Sequence, residues 1–325
     1  MGILGKFRHS IMYNEAVPGT PRPPRSRFHA RSTAEDVTNG LDLSGMNILV
    51  TGCNSGIGLE TMRVLALRGA HVLGTARSEA KAENACRSVE GRTTPLVVEL
   101  TDFESIIVAA QKIRSMAMPL HGLVLNAGIM QLPELRQVHG LEMQFVVNHL
   151  GHFLLVKELL DNLAMATRSR VVTLSSRAYS WAPKGGIDFD NLDGSKSYDP
   201  RVSYGQSKLA NALFARELAR RAHDKGILSN AVHPGVITET NLDRFLPNTD
   251  EEQTDEDRGY IIKTIPEGAS TSCYVATHPS LDKATGYYFA DCNWEIPAKT
   301  MQNDEQARQL WDVSEQLVAT ILQSR

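Results

Sequence analysis

From residue 46 onward, short and almost wholly apolar runs alternate with longer amphipathic stretches. Asn47-Ile48-Leu49-Val50 is apolar with β-branched members and runs straight into glycines, which predicts a buried strand ending in a tight turn. Residues 57–69 then set Ile57, Met62, Leu65 and Ala66 at helical spacing, with Gly69 as the stop. His71-Val72-Leu73-Gly74-Thr75 predicts a second strand, and the same signal returns at 95–100, 122–125, 170–174, 228–233 and 285–289. Helical periodicity fills the intervals at 79–89, 103–117, 136–164, 204–225 and 266–277. Strands apolar on both faces need cover on both, so the pattern predicts an α/β protein with a doubly wound parallel sheet in three layers, α/β/α. Ligands of such sheets sit at the carboxyl ends of the strands.

Composition leaves this picture intact. Hydrophobic residues make up 42% of the 325 and charged residues 22%, the balance of a globular protein, and a formal net charge of -3 gives no reason to expect nucleic acid. No apolar run approaches the roughly 20 residues of a membrane span, so none is expected. Cys53, Cys86, Cys273 and Cys292 are scattered, which suits reduced thiols in a cytoplasmic protein and no metal site. His149 and His152 stand three apart without a third ligand and are expected to be packed helix histidines.

Residues 1–33 differ from the rest. Lys6, Arg8, Arg22, Arg25, Arg27 and Arg31 face Glu15 alone among several prolines, without a myristoylation or signal-peptide pattern, and predict a surface arm. We place that arm at 1–40 and the catalytic domain at 41–325. Two long insertions, 177–203 and the acidic 238–265, are expected to form a substrate mouth and lid; Trp181, Tyr198 and Phe245 there either line an apolar pocket or pin the loops.

Behind the first strand stands Thr51-Gly52-Cys53-Asn54-Ser55-Gly56-Ile57-Gly58. Glycines let a backbone turn sharply and approach a pyrophosphate, whose charge is favoured at the N-terminus of the next helix. Strand, glycine turn, helix and second strand together predict a Rossmann-type dinucleotide site. An NAD site would offer a carboxylate at the end of the second strand; here Gly74-Thr75-Ala76-Arg77 offers a guanidinium that can pair with a 2′-phosphate, which predicts NADP(H).

Tyr204-Gly205-Gln206-Ser207-Lys208 opens a predicted helix, and positions four apart share a face. A phenol near pKa 10 becomes a usable acid/base when an ammonium favours its phenolate. Taken with Asn126-Ala127-Gly128, Asn148, Ser175-Ser176 and His233-Pro234-Gly235, in that order and spacing, the chain resembles the short-chain dehydrogenase/reductase family over about residues 46–320. Finer phrases, among them Arg31-Ser32-Thr33-Ala34-Glu35-Asp36-Val37 and Val147-Asn148-His149-Leu150-Gly151-His152-Phe153, resemble the retinol dehydrogenase and WW-domain oxidoreductase branch, although no WW module precedes the domain.

The resemblance implies Tyr204 as general acid/base, Lys208 as its activator and ribose ligand, Ser176 as holder of the substrate oxygen, and Asn148 as anchor of a proton-relay water. It implies a cofactor cleft lined by Gly52, Asn54, Ser55, Gly56, Ile57, Gly58, Arg77, Leu100, Asn126, Ala127, Gly128, Pro234, Gly235 and Thr238, shared with Tyr204 and Lys208. Three departures stand out: Glu99 replaces the usual aspartate, the interval from Ser176 to Tyr204 is long enough that Ser175 competes for the role, and Thr238 and Thr240 both qualify as the threonine near the carboxamide. The expected activity is NADP(H)-dependent hydride transfer on a hydrophobic ketone, aldehyde or alcohol as the small-molecule partner. The expected assembly is a homodimer or homotetramer paired through the Tyr–Lys helix. An NADP(H)-binding regulator or scaffold without turnover, and an epimerase or dehydratase on the same fold, are the alternatives.

Overall fold

A computed structural model describes residues 14–240, 242 and 261–324. In chain order the strands are β1 (Asn47–Val50), β2 (His71–Ala76), β3 (Thr93–Val97), β4 (Gly122–Leu125), β5 (Gln137–Val138), β6 (Leu141–Glu142), β7 (Ser169–Leu174), β8 (Ile227–His233), β9 (Tyr288–Ala290) and β10 (Asn293–Glu295). Eight of them form one sheet in the spatial order β3-β2-β1-β4-β7-β8-β9-β10. All neighbours are parallel except β10, which returns antiparallel to β9. The chain leaves β1 toward one edge and β4 toward the other, so a crevice opens at their carboxyl ends.

Strand alternation splits the core in two. Leu49, Leu73, Leu123 and Val171 face one layer, with α4 (Phe103–Ser115), α6 (Gly151–Ala164) and α7 (Pro200–Ala222). Ile48, Val50, Val72, Val124 and Val172 face the other, with α2 (Gly56–Leu67), α3 (Glu79–Arg87), the helix we label α8 (Ile265–Thr277) and the short α1 (Ala34–Thr38). The expected doubly wound parallel sheet is therefore present. Strand 95–100 is shifted to Thr93–Val97, and 285–289 to Tyr288–Ala290.

The expected helix over 136–164 is corrected. Its first part is a hairpin, β5 to β6, turned by His139 (φ 57°) and Gly140 (φ 74°), and α5 (Met143–Phe145) follows. Two consecutive positive φ values match the twist of a tight hairpin. Val138, Leu141 and Phe145 happen to be spaced by three and four, which mimics a helix in the sequence. A π-helical turn, Val146–Leu150, then leads into α6.

The described part of the N-terminal arm is docked on the domain. Ser26 N–H donates to Asn293 Oδ1, Asn293 Nδ2 donates to the Phe28 carbonyl, and Phe28 meets the Tyr274 ring edge-on at 5.7 Å. Arg22 and Arg25 lie over Trp294, at 5.8 and 5.4 Å. The segment thus covers the exposed side of β10, where an unpaired strand edge would otherwise face solvent. Ala34 and Val37 belong to the same core as Ile48, so residue 40 marks no break.

The helix α9 (Asp304–Gln323), which periodicity did not single out, packs Trp311 against Phe153 and Phe214 at 4.9 and 5.8 Å. With it in place every residue of α7 from 204 to 219 is buried within one chain. Part of the Tyr–Lys helix is thus covered by α9 of the same chain.

Candidate active site

The glycine turn is shaped by what its backbone approaches. Gly52 (φ 73°) and Gly56 (φ 58°) adopt the left-handed region. A Cβ on Gly58 would lie 2.2 Å from the Gly52 carbonyl oxygen and 2.4 Å from Asn126 Nδ2, so only glycine lets α2 start this close to the turn. Asn54 is exposed and Ser55 is the N-cap residue of α2, with Ile57 half-buried in its first turn. This cradle of small residues at a helix N-terminus fits a dinucleotide pyrophosphate. Arg77 is exposed directly after the buried Ala76 at the end of β2.

Asn126 and Ala127 brace the turn from β4. Their N–H groups donate to Thr51 Oγ1 at 2.9 and 3.0 Å, and Asn126 Nδ2 donates to the Thr51 carbonyl at 2.8 Å. His152 completes the brace, with Nδ1 3.1 Å from the Asn148 carbonyl and Nε2 2.9 Å from Thr51 Oγ1. A carbonyl only accepts, so the proton sits on Nδ1 and Nε2 accepts from the threonine hydroxyl. Burial, and then the nearby Lys208 charge, hold His152 neutral, its pKa pushed down to about 4. His149 is likewise packed, its Nε2 2.8 Å from Ser314 Oγ. Leu100 is buried against α6, its carbonyl 2.5 Å from where a Gly151 Cβ would stand, and Glu99 Oε1 accepts from Thr101.

The second half of the site gathers on α7. Asp199 caps this helix by accepting from the N–H groups of Arg201 and Val202, and Pro200 occupies its first position. One turn in, Tyr204 is 4% exposed, and Lys208 Nζ lies 5.5 Å from its ring centre. Lys208 Nζ donates to the Leu174 carbonyl at 3.2 Å, and burial without a carboxylate partner brings its pKa down to about 8. Asn148, in the π turn, accepts from Ile129 N–H and donates to the Ile129 carbonyl and Ser207 Oγ. A Cβ on Gly128 would stand 3.1 Å from Asn148 Oδ1 and 3.6 Å from Lys208 Nζ. The two serines separate cleanly. Ser175 Oγ is buried and donates to the Lys208 carbonyl, whereas Ser176 is half-buried and its Oγ accepts from Ala178 N–H.

Pro234 and Gly235 (φ 103°) follow β8, and the stem of Lys263 occupies the space a Gly235 side chain would need. Lys263 Nζ pairs with Asp291 at 2.6 Å. Thr238 is exposed, while Thr240 packs its methyl 3.3 Å from where a Gly56 Cβ would stand.

Comparison with known proteins fits this arrangement. A family model described as short chain dehydrogenase matches residues 46–188. The chain is 38% identical to the Brassica napus protein named "Short-chain dehydrogenase TIC 32 A, chloroplastic", over 93% of this chain and 98% of that one. This chain belongs to the short-chain dehydrogenase family. It is 36% identical to human retinol dehydrogenase 14, covering 86% of this chain and 88% of that protein. A crystal structure from Mycobacterium Paratuberculosis superposes with a TM-score of 0.69 at 31% identity, over 86% of this chain and 96% of the other. The resemblance to the retinol dehydrogenase and WW-domain oxidoreductase branch holds at the level of identity. As a short-chain dehydrogenase the chain is an oxidoreductase of CH–OH and C=O groups that uses a nicotinamide dinucleotide.

The mouth of this short-chain dehydrogenase is where sequence reasoning saw least. Met130, Ala178 and Tyr204 form a small apolar cluster, against which Trp181 and Leu242 pack. Trp181 lies on a short 3-10 turn, Arg177–Trp181, that Ser176 caps, and its ring stands 6.3 Å from Tyr204. Tyr198 pins instead of lining: its hydroxyl donates to the Leu132 carbonyl at 2.5 Å. Phe245 and the acidic run 250–257 lie outside the described residues. Thr51, His152, Ser207 and Met130 carry no site signal of their own in the sequence, because the partners that give them a role lie far away in the chain.

Proposed function

We propose that this oxidoreductase interconverts a hydrophobic ketone or aldehyde and its alcohol using NADP(H). The observation that carries the reading is the placement of Tyr204 inside an apolar cluster, with Lys208 Nζ 5.5 Å from its ring and the glycine turn at the carboxyl end of β1 in the same parallel sheet. When bound, the nicotinamide supplies or accepts the hydride. Tyr204 passes its phenolic proton to the substrate oxygen in reduction and takes it back in oxidation. The ammonium of Lys208 favours the phenolate that results. Ser176 already accepts from Ala178 N–H, so its own hydroxyl hydrogen is directed to a further acceptor, which we assign to the substrate oxygen. Asn148 holds Ile129 and Ser207 around this cluster, and a relay water there is part of the same reading.

Charge supports NADP(H). Arg77 is the exposed cation at the end of β2, next to a small buried alanine, and a guanidinium pairs bidentately with a phosphate. Tyr204, Lys208, Gly128, Pro234 and Gly235 would flank the nicotinamide ribose and ring. Thr240 joins Thr238 as a candidate contact because it reaches the glycine turn.

The test is a screen of NADPH and NADH consumption over apolar aldehydes and ketones, with Tyr204→Phe beside the wild type. The wild type is expected to turn over with NADPH. Tyr204→Phe is expected to keep NADPH binding and lose at least about a thousandfold in turnover. Retained turnover in Tyr204→Phe overturns the proton-transfer role, and activity with NADH alone overturns the role given to Arg77.

A further inference from the structure

The N-terminal turn of α7 carries an arginine in an unfavourable place. Arg201 is the second residue of a 23-residue helix, where the macrodipole disfavours positive charge. The Asp199 carboxylate is engaged by the N–H groups of residues 201 and 202, and no carboxylate stands within ion-pair distance of the Arg201 guanidinium among the described residues. The guanidinium instead lies 4.5 Å over the ring of Trp181, and that ring stands 6.3 Å from Tyr204. One exposed cation, one half-buried indole and the buried phenol therefore form a continuous line from solvent to the reacting hydroxyl.

A cation–π contact orients a guanidinium without consuming its hydrogen-bond donors. Arg201 keeps its N–H fork for an acceptor that none of the described residues provides as an ion-pair partner. Met130, Ala178, Trp181 and Leu242 supply apolar contact along the way.

From this line we propose that the preferred substrate is an amphiphile, an apolar carbonyl or alcohol bearing an acidic group, with that group bound by Arg201 and the apolar body laid along Trp181. The proposal rests on the reading of Tyr204 as the site of reaction. A carboxylate and a phosphate monoester share the required chemistry, since both accept two parallel N–H bonds from a guanidinium. The two separations of 4.5 and 6.3 Å limit how far the acid stands from the reacting carbon, so an optimum in chain length is expected.

The experiment compares a graded series of straight-chain oxo acids, the corresponding oxoalkyl phosphates and the methyl esters of the acids, in wild type, Arg201→Gln and Arg201→Lys. Wild type is expected to show a KM about fivefold lower for the acid or phosphate than for the ester, with the difference shrinking as ionic strength rises. In Arg201→Gln the ratio is expected to fall to about one, and Arg201→Lys to restore part of it. A preference for the acid over the phosphate, or the reverse, assigns the headgroup. Equal KM values for acid and ester in wild type, or a preference that survives Arg201→Gln, overturn the proposal. Calorimetric binding of acid and ester to Tyr204→Phe separates the two layers. Equal binding there overturns the anion site, whereas acid-selective binding with no turnover by wild type supports the anion site and overturns the reaction assigned to Tyr204.

Discussion

The glycine turn after β1 and the mouth above Tyr204 are built on opposite principles. The turn is defined by backbone that comes so close that side chains are excluded, as at Gly58, 2.2 Å from the Gly52 carbonyl as measured from a built Cβ. The mouth is defined by side chains from three separate segments, at Met130, at Ala178 and Trp181, and at Leu242, which meet around Tyr204. Removing space damages the first; changing shape or charge retunes the second. The difference explains how one chemistry can be kept while its substrate is changed.

The largest effect is expected where the backbone principle is strictest. Gly58→Ala places a methyl group against a carbonyl oxygen and the Asn126 amide, neither of which is a flexible side-chain end. Cofactor affinity, read by NADPH fluorescence titration, is expected to fall by at least about a hundredfold, the outcome of a turn forced open at the pyrophosphate. Gly140→Ala is the control. Its φ of 74° makes alanine strained, but nothing lies within 4 Å, so about 1 kcal/mol of stability is lost and cofactor affinity stays. Equal affinities in the two variants would break the comparison.

Lys208 joins the two regions, and its substitution sharpens what each contributes. Its pKa in the folded chain is about 8, against 10.5 ordinarily, because burial disfavours the ammonium. Below about pH 8 folded and unfolded chains both carry the proton, and the folded chain bears the full cost of a buried charge. As pH rises from about 8 to about 10.5 the unfolded chain binds more protons than the folded one, so stability increases, and above that range the cost is gone. Lys208→Met is therefore expected to be inactive yet more stable at pH 7 without ligand, by about 3 kcal/mol, with the gain fading toward pH 10. The Leu174 carbonyl keeps its bond from Asn211 Nδ2 in the variant. Urea unfolding at the two pH values measures both halves of the claim; a gain that does not fade with pH would detach it from the charge.

Legibility in the sequence follows the same division. β1, the glycine turn and α2 are contiguous, so the order of apolar run, glycines and helix declares itself, and so does the spacing of Tyr204 and Lys208 on one helix. Thr51 escaped notice because its role depends on N–H groups 75 and 76 residues away. The hairpin at His139-Gly140 was hidden by a chance helical spacing of Val138, Leu141 and Phe145. The N-terminal segment was read as an arm because its charges are visible in sequence, while its anchors, Asn293 and Tyr274, lie more than 240 residues further on. Local geometry is written in neighbouring residues, and packing between distant segments is not.

The smallest expected effect tests whether the mouth also uses the backbone. Gln131 adopts φ 49°, the left-handed region, next to Met130 of the cluster around Tyr204. Its N–H is held by the buried Gln144 Oε1 at 2.7 Å, and Gln144 sits among Glu142, Tyr198 and Pro200. Gln131→Gly keeps that N–H and removes a conformational strain of about 1–2 kcal/mol, while glycine's extra freedom in the unfolded chain costs about 0.5–1 kcal/mol. The net is expected to be a gain of less than about 1 kcal/mol by urea unfolding. If the strain serves to aim Met130 at Tyr204, KM for an apolar carbonyl is expected to rise a few-fold in the same variant, since a looser backbone holds the cluster less firmly. A KM that stays put while stability rises would make the strain a by-product of the Gln144 network, and would leave the mouth a matter of side chains alone.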